Sequence, residues 1–311
     1  MRNAFADEIT RQGARDPNIV LLSGDIGNKL FDRFKQLAPD RFLNCGVAEA
    51  NMMSVAAGMA LSGLRPVIYT IAPFTTTRCF EQIRVDVCYH KAPVVIVGTG
   101  AGLSYAELGP THHSLEDLAL LRSLPEMNVL APCDEVELRL GLRAALQQDR
   151  PTYMRIGKKG EPVIHKGLPV FRLGKAITVR EGDDVCLISI GNMMPVVLAA
   201  ADSLRDQGLS ARVESFHTLK PLDTDRLTHI FDRYPLVAAV EEHSLLGGLG
   251  GSIAEWLARQ HAPTGRLMCF GTEDVFMHEV GSQDYARNKF GLTAGNIAET
   301  VSAGLARLRA H

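Results

Sequence analysis

Pro93-Val-Val-Ile-Val97 runs directly into Gly98-Thr-Gly-Ala-Gly102, a short apolar run halted by a glycine-rich turn. A run of this length, almost wholly β-branched and stopped by glycine, reads as a strand buried on both faces. Comparable runs occur at Ile19-Val-Leu-Leu22, Arg41-Phe-Leu-Asn44, Pro66-Val-Ile-Tyr-Thr70 and Asn128-Val-Leu-Ala131, separated by helical patterns. Such alternation predicts an α/β fold in which helices cover both faces of a parallel sheet.

From Tyr153 to Gly174 the pattern lapses into a stretch rich in Gly, Pro and Lys, which reads as a domain linker. Alternation resumes with Val185-Cys-Leu-Ile-Ser-Ile190, a helix from about Pro195 to Gln207, Ala211-Arg-Val-Glu214, Leu236-Val-Ala-Ala-Val240, a helix after Gly251, and Leu267-Met-Cys-Phe270. The expectation is two parallel-sheet, three-layer domains, residues 1–165 and a smaller one at 174–311. A chain of 311 residues is long enough to give each its own core.

Composition narrows the function. With 33 basic against 35 acidic residues and a net charge of -2, the chain has no basic excess for nucleic acid. Cys45, Cys79, Cys88, Cys133, Cys186 and Cys269 form no C-x-x-C pair, so they read as reduced thiols and not as a zinc or disulfide framework. The acidic, amphipathic start Met1-Arg-Asn-Ala-Phe-Ala-Asp-Glu-Ile9 is unlike a signal peptide, and no stretch reaches the length of a membrane span. The expected location is the cytoplasm.

In an open parallel sheet, ligands sit beyond the carboxyl ends of the strands. Asp25, Glu49, Phe74 and the Gly98–Gly102 turn each follow one such strand. Glu49 opens a helix that continues through Met52, Met53, Ala56 and Ala57, a face too apolar for solvent. Desolvation there would raise its pKa, while the alternative is a first-turn acid favoured by the helix dipole. Gly109-Pro-Thr-His-His-Ser114 sets two histidines in a turn. Adjacent histidines point different ways, which suits hydrogen bonding or proton transfer better than shared metal ligation, although a turn histidine with satisfied partners reads equally well. Gly98–Gly102 does not satisfy G-x-G-x-x-G, and Gly247-Gly-Leu-Gly-Gly251 reads as a close-packing turn.

Gly46-Val-Ala-Glu-Ala-Asn-Met52, Gly109-Pro-Thr-His112 and Glu241-Glu-His-Ser-Leu-Leu-Gly-Gly-Leu-Gly250 together resemble the C-terminal half of transketolases, especially those split into two subunits. The resemblance runs nearly end to end, over a pyrimidine-binding domain and a transketolase C-terminal domain. It implies thiamine diphosphate as cofactor. Glu49 matches the glutamate that hydrogen-bonds the aminopyrimidine and promotes the tautomer that takes the thiazolium proton. Phe74 matches the aromatic on which the pyrimidine stacks, Ile71 stands where the family has another aromatic, and Asp25 matches an acid near the thiazolium. His112 matches a histidine that binds donor hydroxyls and moves protons.

On the substrate side the resemblance is mixed. Leu108 replaces an aspartate that reads an acceptor hydroxyl, Arg2 and Arg155 match anion-binding arginines, Lys29 replaces a serine, and Gly100 replaces a phosphate-binding histidine. The family's Gly-Asp-Gly and following Asn, which hold Mg²⁺ and the diphosphate, are missing, and Ser23-Gly-Asp-Ile-Gly27 is no substitute. The implied partner is therefore a separate diphosphate-binding subunit that supplies the Mg²⁺ ligands, two copies of each chain forming the assembly. The implied reaction is two-carbon ketol transfer from a ketose to an aldehyde. The competing expectations are a 2-oxo-acid dehydrogenase beta subunit, a decarboxylating carboligase, and a scaffold subunit without catalysis.

Overall fold

The computed structural model describes residues 1–27, 29–158, 160–261 and 263–310. The N-terminal domain is built on strands β1 (Ile19–Ser23), β2 (Phe42–Asn44), β3 (Arg65–Ile71), β4 (Val95–Thr99), β5 (Asn128–Leu130) and β6 (Thr152–Ile156). The C-terminal domain contributes β7 (Ile177–Arg180), β8 (Val185–Ser189), β9 (Ala211–Ser215), β10 (Thr218–Lys220), β11 (Leu236–Ser244) and β12 (Arg266–Thr272). The first sheet runs β10-β5-β6-β4-β3-β1-β2 and the second β12-β11-β8-β9-β7. All pairings are parallel except β10 with β5 and β7 with β9. Both sheets are thus mixed, with an antiparallel strand at one edge.

Three departures from the sequence reading stand out. Residues 153–156, expected to begin the linker, belong to β6 at the heart of the first sheet, which is buried throughout. Lys159, within the expected linker, lies outside the described residues. The helix expected after Gly251 begins earlier, spanning Leu249–Leu257. Its first N–H groups are met from within: Leu249 and Gly250 donate to the buried Glu241 carboxylate at 2.7 and 2.8 Å, which satisfies the exposed donors of a helix start. Gly248 permits this, since a Cβ there would lie 2.0 Å from Glu241 Oε2.

The third departure concerns the cores, which are not separate. One apolar cluster joins Val20, Ile68 and Ile96 of the first sheet to Ile188 and Val237 of the second through Leu118, Phe231 and Ile253. The outer faces have their own cores. The Arg2–Arg15 helix packs Phe5 on Tyr69 at 5.2 Å between ring centroids, and helices Met194–Asp206 and Ala294–Arg309 cover the second sheet. Among the described residues no helix is long and apolar enough to cross a membrane.

Candidate active site

β4, β3, β1 and β2 are neighbours in the first sheet, so their carboxyl ends open along one rim. Glu49 is the first residue of the helix Glu49–Leu61, which follows β2 and packs Met52, Met53, Ala56 and Ala57 inward. Its carboxylate is only 2% exposed. Gly24, just after β1, fits closely against Thr70: a Cβ there would lie 3.0 Å from Thr70 and in ordinary contact, 3.5 Å, with Cγ of Glu49.

Phe74 sits in the short turn Ala72–Thr75 after β3, half-buried. His112 meets the edge of its ring at 5.3 Å between centroids, with planes 68° apart. The imidazole is oriented through Nδ1, 2.9 Å from the Thr111 hydroxyl. Sequence reading did not single out Arg78. Its guanidinium carbon lies 4.3 Å from the Phe74 centroid, and Nη1 donates to Glu49 Oε2 at 2.9 Å. The one signal was a cation one helical turn beyond an aromatic at a strand end. Behind it, burial and then the Glu49 charge push the Cys79 thiol up to about 12, so it stays neutral.

The structure therefore brings Glu49, Phe74 and His112 together. Gly100 adjoins them through Tyr105, whose ring lies against the glycine and 6.0 Å from the His112 ring. A Cβ at Gly100 would stand 1.9 Å from that ring, and φ is +70°. Glycine at this position and Tyr105 in this place require each other. Leu108 is 48% exposed on the same loop. Ile71 ends β3, half-buried. Asp25 is exposed at the end of β1 with φ +56°, accepting from Asn44 Nδ2 at 2.9 Å. Lys29 is exposed, and Arg2 is half-buried beside Tyr69, whose phenol burial pushes up to about 12 against the opposing pull of the nearby Arg2 charge.

Arg155, expected to clamp a substrate anion, is engaged within the chain. Arg155 is 4% exposed. Its Nη2 donates to the carbonyls of Ser114 and Glu242 at 3.0 and 2.7 Å, and Nε lies 3.1 Å from the Asp117 carboxylate. A guanidinium so engaged is a structural tie.

Glu242, unnoticed in the sequence beyond its motif, is the second tie: its carboxylate accepts from Leu103 N–H, Asn192, Gln283 and Arg287. These groups come from both domains and fix the loop that carries the histidines. His113 is buried, and desolvation lowers its pKa. It lines a cavity of about 400 Å³ between the domains with Pro110, Glu116, Ser244 and Phe276. Glu49, Phe74 and His112 are not in that cavity.

The residues present fit a planar heterocycle, because Phe74 already stacks a flat hydrogen-bond donor that reaches the buried Glu49. They do not supply an obvious Mg²⁺ site. Among the described residues, the metal-capable cluster is Cys133, Glu137 and His165, whose thiol and imidazole suit softer ions than Mg²⁺. Its Glu137 already accepts from Cys133 N–H at 2.8 Å and pairs with His165 Nε2 at 2.9 Å.

Comparison with known proteins agrees with this architecture. Residues 1–161 match the model of the transketolase pyrimidine-binding domain, and residues 174–297 that of the transketolase C-terminal domain. The chain is 36% identical over 302 residues to a 6-deoxy-6-sulfo-D-fructose transketolase subunit of Clostridium sp. (strain MSTE9), covering 97% of this chain and 93% of that one. It is 32% identical to an apulose-4-phosphate transketolase subunit of Phocaeicola vulgatus, covering 96% of each. A split-gene transketolase solved as an inactive beta4 tetramer superposes with a TM-score of 0.90 at 34% identity, covering 98% of both chains. The chain belongs to the transketolase family, with the pyrimidine-binding and C-terminal domains in one polypeptide.

Proposed function

We propose that this chain is the smaller, beta subunit of a two-component, thiamine-diphosphate-dependent transketolase-type enzyme that moves a two-carbon ketol unit from a ketose to an aldehyde. The observation that carries the reading is the buried Glu49 carboxylate linked to the half-buried Phe74 ring by the Arg78 guanidinium, with His112 packed edge-on against that ring. When bound, the cofactor supplies a thiazolium that stabilises the carbanion left by C–C cleavage. Glu49 holds a proton in a hydrogen bond with the pyrimidine ring nitrogen, and Phe74 fixes the plane of that ring. His112, its Nδ1 engaged by Thr111, offers Nε2 to a substrate hydroxyl. Asp25, just beyond the neighbouring strand β1, would lie beside the thiazolium.

The Mg²⁺ ligands and diphosphate site come from a separate subunit that carries the missing Gly-Asp-Gly and Asn. The two relatives named for a sulfonated and a phosphorylated ketose support an anionic sugar as substrate. With Arg155 turned inward, Lys29 and Arg2 are the cations left for it among the positions matched to the family's anion site. In the reconstituted complex, Glu49→Gln is expected to lower turnover by about 10²–10⁴-fold, the usual worth of a positioned proton-transfer group, with assembly unchanged by size-exclusion chromatography. Retained turnover would overturn the assignment.

A further inference from the structure

Arg78 reaches its two contacts from the rim. Its side chain is 45% exposed, whereas the Glu49 it touches is 2% exposed. The arm lies across Phe74 with its head in contact with the buried carboxylate. A guanidinium is flat, stacks on aromatic faces, and carries N–H donors in its plane. An aminopyrimidine presents the same two features to the same two partners. Both cannot occupy the face of Phe74 and the Glu49 oxygen at once.

The local backbone suits a movable arm. From Ala72 to Tyr89 the chain passes from an α-helical turn to a 3₁₀ turn at Thr77–Cys79, which carries Arg78, then into π-helix over Ile83–Tyr89. Changes of pitch of this kind mark places where a helix readjusts. The remaining bonds of the segment do not depend on Arg78: Thr76 and Thr77 hydroxyls donate to the carbonyls of Ala72 and Pro73.

Resting on the assignment of Glu49 and Phe74 to the pyrimidine, we propose that Arg78 is a built-in place-holder for that ring. In the unloaded chain it stacks on Phe74 and supplies the counter-charge that a buried carboxylate requires. Loading the cofactor displaces it toward solvent. Arg78 therefore lowers the apparent affinity for thiamine diphosphate while protecting the empty slot.

Calorimetric titration of the reconstituted complex with thiamine diphosphate and Mg²⁺ tests this. Arg78→Ala is expected to bind at least tenfold more tightly than wild type, and added guanidinium chloride at low millimolar concentration to weaken binding to that variant alone. Arg78→Lys, which keeps the charge but loses the stacking plane, should fall between. In the isolated chain without cofactor, Arg78→Ala should melt several degrees lower, and Glu49→Gln in the same chain should restore much of the loss. Wild-type binding with no gain in Arg78→Ala would overturn the place-holder and leave the site assignment standing. Failure of wild type to bind would overturn both.

Discussion

Gly100 and Tyr105 show how one residue reshapes a site at its neighbour. Any side chain at position 100 meets the Tyr105 ring and a left-handed backbone. Gly100→Ala is expected to cost roughly 1–3 kcal/mol in denaturant unfolding, the range for strain at such a position. Adding Tyr105→Ala should recover the steric part and not the backbone part. No gain in the double variant would contradict the packing described. At this scale the sequence was half legible. Glu49, Phe74 and His112 stood out because each follows a strand end or sits in a rigid turn. The burial of Arg155 was not legible, because an arginine matching an anion-binding position looks the same in sequence whether or not it is buried against two carbonyls and Asp117. Arg78 was missed for the converse reason, since only tertiary folding lays it across Phe74.

Elements were legible where an apolar run stood alone and illegible where charge interrupts burial. β6 was lost because Arg155 lies in it, and a short strand with an arginine near its end, running into Gly157, reads as linker until its partners are seen. β10 has only three residues, too few for any periodicity. The connecting segment is itself fastened. Asp134 Oδ2 accepts from Ile164 and His165 N–H at 2.8 and 3.0 Å while Oδ1 caps the helix Glu135–Leu146.

His165 also pairs with Glu137. Burial opposes the imidazolium, but the hydrogen bond and charge of Glu137 outweigh it, and the His165 pKa is raised. Burial likewise opposes the Glu137 carboxylate, yet the hydrogen bond from His165 leads the groups that hold its pKa down. The raised His165 stabilises fully below the ordinary histidine value of about 6.5 and loses this as pH rises through its folded value. The lowered Glu137 stabilises above the ordinary carboxylate value of about 4.3 and loses this as pH falls through its folded value. The latch should thus be tightest between those limits. Amide hydrogen exchange at residues 164–166, corrected for intrinsic rate, is expected to quicken from pH 6 to pH 8.5, and His165→Gln to remove that dependence. A flat profile in the wild type would contradict it.

At the scale of the molecule, the two-domain α/β architecture was readable from alternation alone, but the joining of the domains was not. The shared core, the edge strand β10 on the first sheet, and the ties at Arg155 and Glu242 make the pair one structural body around the loop that bears His112. Such contacts between distant segments leave no local pattern in sequence. Under the proposed function, the rim of strand ends carrying Glu49 and Phe74 is half of a site, and the other half must come from another chain. The most direct measurement is thiamine diphosphate binding, by calorimetry in Mg²⁺, to the chain alone and with a subunit that carries the Gly-Asp-Gly and Asn motif. Saturable binding only in the mixture, one cofactor per copy of this chain, is the predicted result. Equally tight binding by the chain alone, or none by the mixture, would contradict it.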